Sequence, residues 1–153
     1  MTEDREQRAG RGPGAGGTVT LTVPSHPRFL YVVRSALYPL ALDAGFSRKD
    51  ARRIVLAVDE ACSNIIRHAY GGEGTKTITV TVADDSERFS VRLRDFGIKA
   101  ARASIAPRRL DEVRPGGLGT AFMAQVFDRV DYDTSVEQGT LLTLEKRKQQ
   151  VGA

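Results

Sequence analysis

The sequence predicts an α+β fold: a two-layer α/β sandwich with helices on one face of a mostly antiparallel, mixed sheet. Three observations carry that prediction. Two long stretches with helical spacing lie between the first strand-like run and the second. Four later strand-like runs come in two pairs. Each pair is joined by a short polar link of hairpin type. The order is therefore β-α-α-β-β-loop-α-β-β, in a chain of 153 residues, enough for one compact domain.

Residues 1–17 hold only Met1, Ala9 and Ala15 as apolar side chains, with five glycines. That is too little apolar surface to offset the entropy of ordering, so a disordered tail is expected. Thr18–Val23 alternates and is rich in β-branched residues, as a half-buried strand requires, and Pro24 and Pro27 stop it. From Arg28 to Ala44, Phe29, Val32, Val33, Ala36, Leu37, Leu40 and Ala41 fall at helical spacing, with Pro39 expected to kink or shorten the helix. Ser47 has the chemistry of an N-cap, with Asp50 three residues on. It opens a second helix, from Arg48 to about Tyr70, whose apolar face is Ile54, Val55, Val58, Ala61, Cys62, Ile65, Ile66 and Ala69. Gly71-Gly72 ends it.

Thr77–Ala83 and Arg88–Asp95 alternate around the turn-rich Asp84-Asp85-Ser86-Glu87, a hairpin signal. The stretch 97–116, with Pro107 and Pro115, has no period and reads as a loop long enough to be a functional lid. A helix over Leu118–Phe127 follows. The strands Arg129–Ser135 and Thr140–Lys146, about a turn at Val136–Gly139, complete a domain expected to span 18–147, with a tail over 148–153.

Composition narrows the function. No apolar run approaches the roughly 20 residues that cross a bilayer. The N-terminus mixes both charges and lacks an apolar segment, so no membrane association or secretion is expected. Cys62 is the one cysteine and His26 and His68 the two histidines, which excludes an internal disulfide and a multi-cysteine metal site. A cytoplasmic location follows as the expectation. Net charge is +4, which suits a phosphate, nucleic-acid or acidic-protein partner. With no Trp and only 7% aromatic residues, base-stacking platforms are scarce, and no direct nucleic-acid binding is expected. The loop 97–116 alone carries +3, which places the basic excess on a segment suited to closing over phosphate.

Several residues have the chemistry of a site. Glu60 and Asn64 are four apart on the second helix, hence on one face, beside Ala61, Cys62, Ile65 and Ile66. Spacing alone favours two solvated side chains. Functionally, a glutamate there suits a general base and an asparagine a neutral ligand for Mg²⁺ shared with phosphate. Arg67 and His68, one turn on, suit phosphate, or equally a basic helix end. Asp95-Phe96-Gly97 closes a strand; a carboxylate there would accept the exocyclic amine of adenine and reject guanine, and Gly97 would let the ring lie against backbone. The same string occurs in eukaryotic-type protein kinases, but the chain lacks their His-Arg-Asp loop and Val-Ala-Ile-Lys strand. Gly116-Gly117-Leu118-Gly119 opens a helix, where backbone N–H groups favour phosphate, or it is simply a tight loop-to-helix turn. Gly139-Thr140 is explained by a hairpin turn alone.

The order of these pieces is more specific than any one of them. Glu60-x-x-x-Asn64 on a helix, Asp95-x-Gly97 after a strand, a lid, Gly117-x-Gly119 at a helix start and a final Gly139-Thr140 hairpin resemble the GHKL (Bergerat-fold) ATPases, which include gyrase and histidine kinases. The helix Glu60-Ala61-Cys62-Ser63-Asn64-Ile65-Ile66-Arg67-His68-Ala69-Tyr70 and the bare domain look like the bacterial anti-sigma factor serine kinases, over roughly residues 18–147. The resemblance implies Glu60 as the catalytic base and Asn64 as the Mg²⁺ ligand. It assigns adenine to Asp95 and Gly97, phosphate to Gly117, Leu118 and Gly119, and the last box near adenine to Thr140. Arg67, His68 and Arg114, at the end of the lid, are further candidate phosphate contacts.

Many relatives read Asp-x-Gly-x-Gly, whereas Lys99 takes the last place here, which restricts the backbone at the lid hinge. The implied activity is a serine/threonine protein kinase using ATP and Mg²⁺. It would bind a sigma factor and phosphorylate a serine on an antagonist, the anti-anti-sigma protein, with a homodimer as the assembly relatives often adopt. Lys99 motivates the alternative of a partner-switching module that holds ATP or ADP without turnover.

Overall fold

The computed structural model describes residues 16–100 and 117–149. Expectations for the tail residues 1–15, for 101–116 of the lid and for 150–153 lie outside the described residues. Strand β1 (Gly17–Pro24) leads through a 3₁₀ turn (Pro27–Phe29) into α1 (Leu30–Asp43), and Ser47 caps α2 (Arg48–Asn64). Strands β2 (Thr77–Asp84) and β3 (Arg88–Asp95), helix α3 (Gly117–Val126), and strands β4 (Arg129–Asp133) and β5 (Thr140–Arg147) follow. The sheet order is β1-β2-β3-β5-β4. All four pairings are antiparallel, so among the described residues the sheet lacks the parallel pair that a mixed sheet contains.

Alternation decides the layers. Val23, Ile78, Val80, Val82, Phe89, Val91, Leu93, Leu142 and Leu144 share the buried face, while Thr20, Thr22, Thr79, Thr81 and Arg92 share the open one. α1 and α3 each pack on α2, which lies over the sheet. Leu37, Ala41, Ile54, Ala57, Val58, Ala61, Cys62 and Met123 fill the layer between. Phe46, just after α1, meets fully buried Phe89 edge-on with ring centroids 5.5 Å apart, an arrangement that adds about 0.5–1.5 kcal/mol beyond area burial.

Two helix expectations change. α1 runs through Pro39 to Asp43; the proline sits on the exposed side while Leu37 and Ala41 stay buried, so packing holds the helix past it. The second helix does not continue as α-helix to Tyr70. It widens at Ile65–Ala69 into a π turn, in which Tyr70 N–H donates to Ile65 O at 3.0 Å and Gly72 N–H to Ile66 O at 2.7 Å. Gly71 and Gly72, with φ of 57° and 84°, then turn the chain away. Gly17, expected in the tail, already pairs with Asp84, and Lys148 N–H donates to Glu87 O at 2.8 Å beyond the end of β5. No helix among the described residues is long and apolar enough to cross a membrane.

Candidate functional site

Glu60 and Asn64 lie on the last turns of α2, both half-buried. The guanidinium of Arg67 bridges them: one nitrogen is 3.3 Å from Glu60 Oε1 and donates to Asn64 Oδ1 at 3.0 Å. A carboxylate oxygen and an amide oxygen thus already share one positive charge. The Arg67 side chain is 55% exposed, so this pair opens at a cost of about 1 kcal/mol or less. Cys62, between them in sequence, points the other way into the core, and burial pushes its thiol up to about 12, which makes it inert. His68 is exposed and its ring finds no partner among the described residues.

The second group forms where β3 ends. Asp95 is in phase with Phe89, Val91 and Leu93 and is only 3% exposed. Its Oδ1 accepts the N–H of Gly97 at 3.0 Å, and Thr140, its cross-strand partner, presents a second backbone N–H. Burial raises the carboxyl above its ordinary value, and these two N–H groups with Arg94 offset the rise only in part. Thr140 is itself buried, and its Oγ1 accepts the N–H of Ala100 at 3.1 Å. A carboxylate that accepts the Gly97 N–H on the protein side keeps its remaining lone pairs for a ligand amine.

Tyr70 connects the two groups. Its hydroxyl donates to Thr77 O at 2.6 Å and accepts Phe96 N–H at 2.9 Å, while Ile98 N–H donates to Ala69 O at 2.8 Å. The segment that follows Asp95 is therefore laced onto the end of the helix that carries Glu60 and Asn64. Gly97 sits in this seam: a Cβ there would lie 2.2 Å from Ala69 O, a backbone atom. Gly97→Ala is accordingly expected to destabilise the fold by about 1–3 kcal/mol through overpacking, read as a lower melting temperature. Gly139 is as close on the other side, its Cβ position 2.1 Å from Asp95 O.

The structure thus brings Asp95, Gly97 and Thr140 together and ties them to the helix bearing Glu60, Asn64 and Arg67. Gly117, Leu118 and Gly119 form the first turn of α3, where backbone N–H groups lack helical acceptors. Arg114 lies outside the described residues. Sequence reasoning missed three residues of the seam. Tyr70 was within the helix run already singled out. Arg94 stacks its guanidinium 4.2 Å from the Phe96 ring centroid and donates to Asp95 O and, at 2.6 Å, to Gln138 O. Gln138 Nε2 donates back to Phe96 O at 2.7 Å.

Glu60 and Asn64 offer oxygen donors of the kind that hard cations take. Among the described residues no three His, Cys, Asp or Glu side chains group together, so a protein-only metal cage is not present there. A neutral amide oxygen beside one carboxylate could share a hard cation with phosphate oxygens only once Arg67 has moved off them.

Residues 23–146 match the histidine kinase-like ATPase domain. The chain is 31% identical over 128 residues to the serine-protein kinase RsbW of Listeria monocytogenes, covering 77% of this chain and 82% of that protein. It is 29% identical over 135 residues to the serine-protein kinase RsbW of Halalkalibacterium halodurans, covering 84% of this chain and 82% of that one. Its fold matches a crystal structure of the RsbU and RsbW domains of a Mycobacterium tuberculosis protein with a TM-score of 0.61 at 18% identity. That match spans 86% of this chain and 32% of the other, and shows the fold.

Proposed function

The chain belongs to the histidine kinase-like ATPase family, and from that premise we propose that it is a serine-protein kinase of the anti-sigma type. It would use ATP with Mg²⁺, hold a sigma factor, and phosphorylate a serine on an antagonist protein when partners exchange. The observation that carries the reading is the buried Asp95 carboxylate, which accepts the Gly97 N–H at the end of β3 in a segment laced to the helix of Glu60 and Asn64.

Each residue then has a task. Asp95 accepts the adenine amine, and Gly97, having no side chain, lets the segment after Asp95 close onto Ala69 beside it. Thr140 holds Asp95 from the neighbouring strand. The first turn of α3, at Gly117, Leu118 and Gly119, offers backbone N–H groups to phosphate, joined by Arg67, His68 and Arg114. Asn64 would hold Mg²⁺, which when bound neutralises phosphate charge. Glu60 takes the proton of the attacking serine hydroxyl. Arg67 must leave Glu60 for that to happen, and its exposed, weak pairing allows it. The reading places the protein in the cytoplasm and takes a homodimer as its assembly.

Transfer of labelled phosphate from ATP to a serine of the co-purified antagonist tests the proposal. A Glu60→Ala protein that transfers as well as wild type would overturn it. One observation favours a second reading: Lys99, in place of a hinge glycine, donates to two loop carbonyls. A module that holds nucleotide without turnover would bind ATP saturably and label no partner.

A further inference from the structure

The segment leaving β3 is attached on both flanks. On the helix side Phe96 N–H and Ile98 N–H bond Tyr70 and Ala69. On the other side lies the loop between β4 and β5, residues 134–139. There Lys99 Nζ donates to Thr134 O and to Val136 O, both at 2.7 Å, and Ala100 N–H reaches Thr140 Oγ1. An ammonium on two carbonyls is a charge-assisted contact, stronger than the single neutral bond that otherwise fixes Ala100. Asp133, at the end of β4, is held below its ordinary value first by hydrogen bonds from Ser135 and also by the positive charges of Lys99 and Arg94, so the loop that Lys99 contacts carries charge of opposite sign. Lys99 itself is exposed and packs into no core.

We infer that Lys99 is a positioning residue that latches the mouth of the nucleotide site, holding residues 96–100 against the β4–β5 loop and so keeping Asp95, Gly97 and Thr140 in register before a nucleotide arrives. This rests on the reading of Asp95 and Thr140 as nucleotide-binding groups. Where a glycine would leave the exit from β3 to be ordered on binding, the latch orders it beforehand. Preordering of this kind acts mainly on residence time.

The test uses the full chain and a fluorescent ADP analogue. Lys99→Ala is expected to raise the dissociation rate about five- to tenfold with the association rate within about twofold, because affinity differences between closely related complexes lie mostly in dissociation. Lys99→Arg, which also offers several donors to the two carbonyls, is expected to restore the rate to within about twofold. Because Lys99 is exposed, Lys99→Ala is expected to leave the melting temperature unchanged; a merely stabilising role would lower it and leave the rates proportionate. In the nucleotide-free protein, amide exchange at Ala100 is expected to quicken about tenfold in Lys99→Ala. Wild-type binding with an unchanged Lys99→Ala dissociation rate would overturn the latch. If wild type binds no nucleotide, the kinase reading falls, and Ala100 exchange decides the latch by itself: unchanged protection overturns it.

Discussion

A Glu60→Gln protein is expected to bind ATP within about threefold of wild type and to transfer phosphate about 10²–10⁴-fold more slowly, the range general-base catalysis supplies. Glutamine keeps the length of the side chain and an oxygen for Arg67, which lies 3.3 Å from Glu60 Oε1 and 3.0 Å from Asn64 Oδ1. The geometry of the three residues should therefore survive, and nucleotide contacts with it. What is lost is basicity: an amide oxygen does not take a proton from a serine hydroxyl near neutral pH. The loss corresponds to about 3–5 kcal/mol of transition-state stabilisation. Paired binding and transfer measurements on one preparation separate the outcomes. Lost binding would make Glu60 a structural group, and undiminished transfer would place the base elsewhere. If wild type binds ATP and neither protein transfers, the nucleotide-holding reading is supported.

Strand and helix positions were legible because their signals are local. Thr77–Asp84 and Arg88–Asp95 alternate, and Ser47 accepts from Asp50 N–H as an N-cap should. The buried place of Asp95 was also readable in principle, since it continues the phase of Phe89, Val91 and Leu93. The π turn was not: it is a one-residue widening that leaves the apolar pattern of Ile65, Ile66 and Tyr70 almost as an α-helix would have it. Nor was the pairing that sets β5 rather than β4 beside β3, because it joins segments some fifty residues apart in the chain and depends on the whole sheet. The seam was hidden for a related reason. Lys99, Arg94 and Gln138 bond backbone carbonyls across the fold, and a carbonyl has no sequence identity by which to recognise an acceptor. Lys99 looked like the loss of a hinge; the structure shows what the substituted side chain holds.

Asp95→Asn is expected to weaken ATP binding about a hundredfold or more while leaving the fold intact. The carboxylate is acceptor-only, and it faces donors on every side: Gly97 N–H at 3.0 Å, the Thr140 N–H, and in the proposed complex the adenine amine. An asparagine must turn its NH₂ group toward one of them. Either a backbone N–H or the amine then meets a donor, and losing a charge-assisted bond while leaving a buried donor unpaired costs about 3 kcal/mol in total. Guanine carries an acceptor at the corresponding place, so GTP should not suffer the same loss, and the preference for ATP should narrow. The pH dependence gives an independent readout. Burial raises the Asp95 pKa above 3.8, so the ionised form that accepts the amine is depleted as pH falls through that raised value, and affinity should fall with it. Asp95→Asn should lack this acid limb. For folding the sign reverses: the native state favours the protonated acid, so the group's contribution to stability is full below 3.8 and is lost as pH rises through the raised value. Wild type should therefore lose nucleotide on acidification before this residue does anything to weaken the fold, and a titration in which binding and melting temperature fall together would assign the loss to unfolding instead of to Asp95.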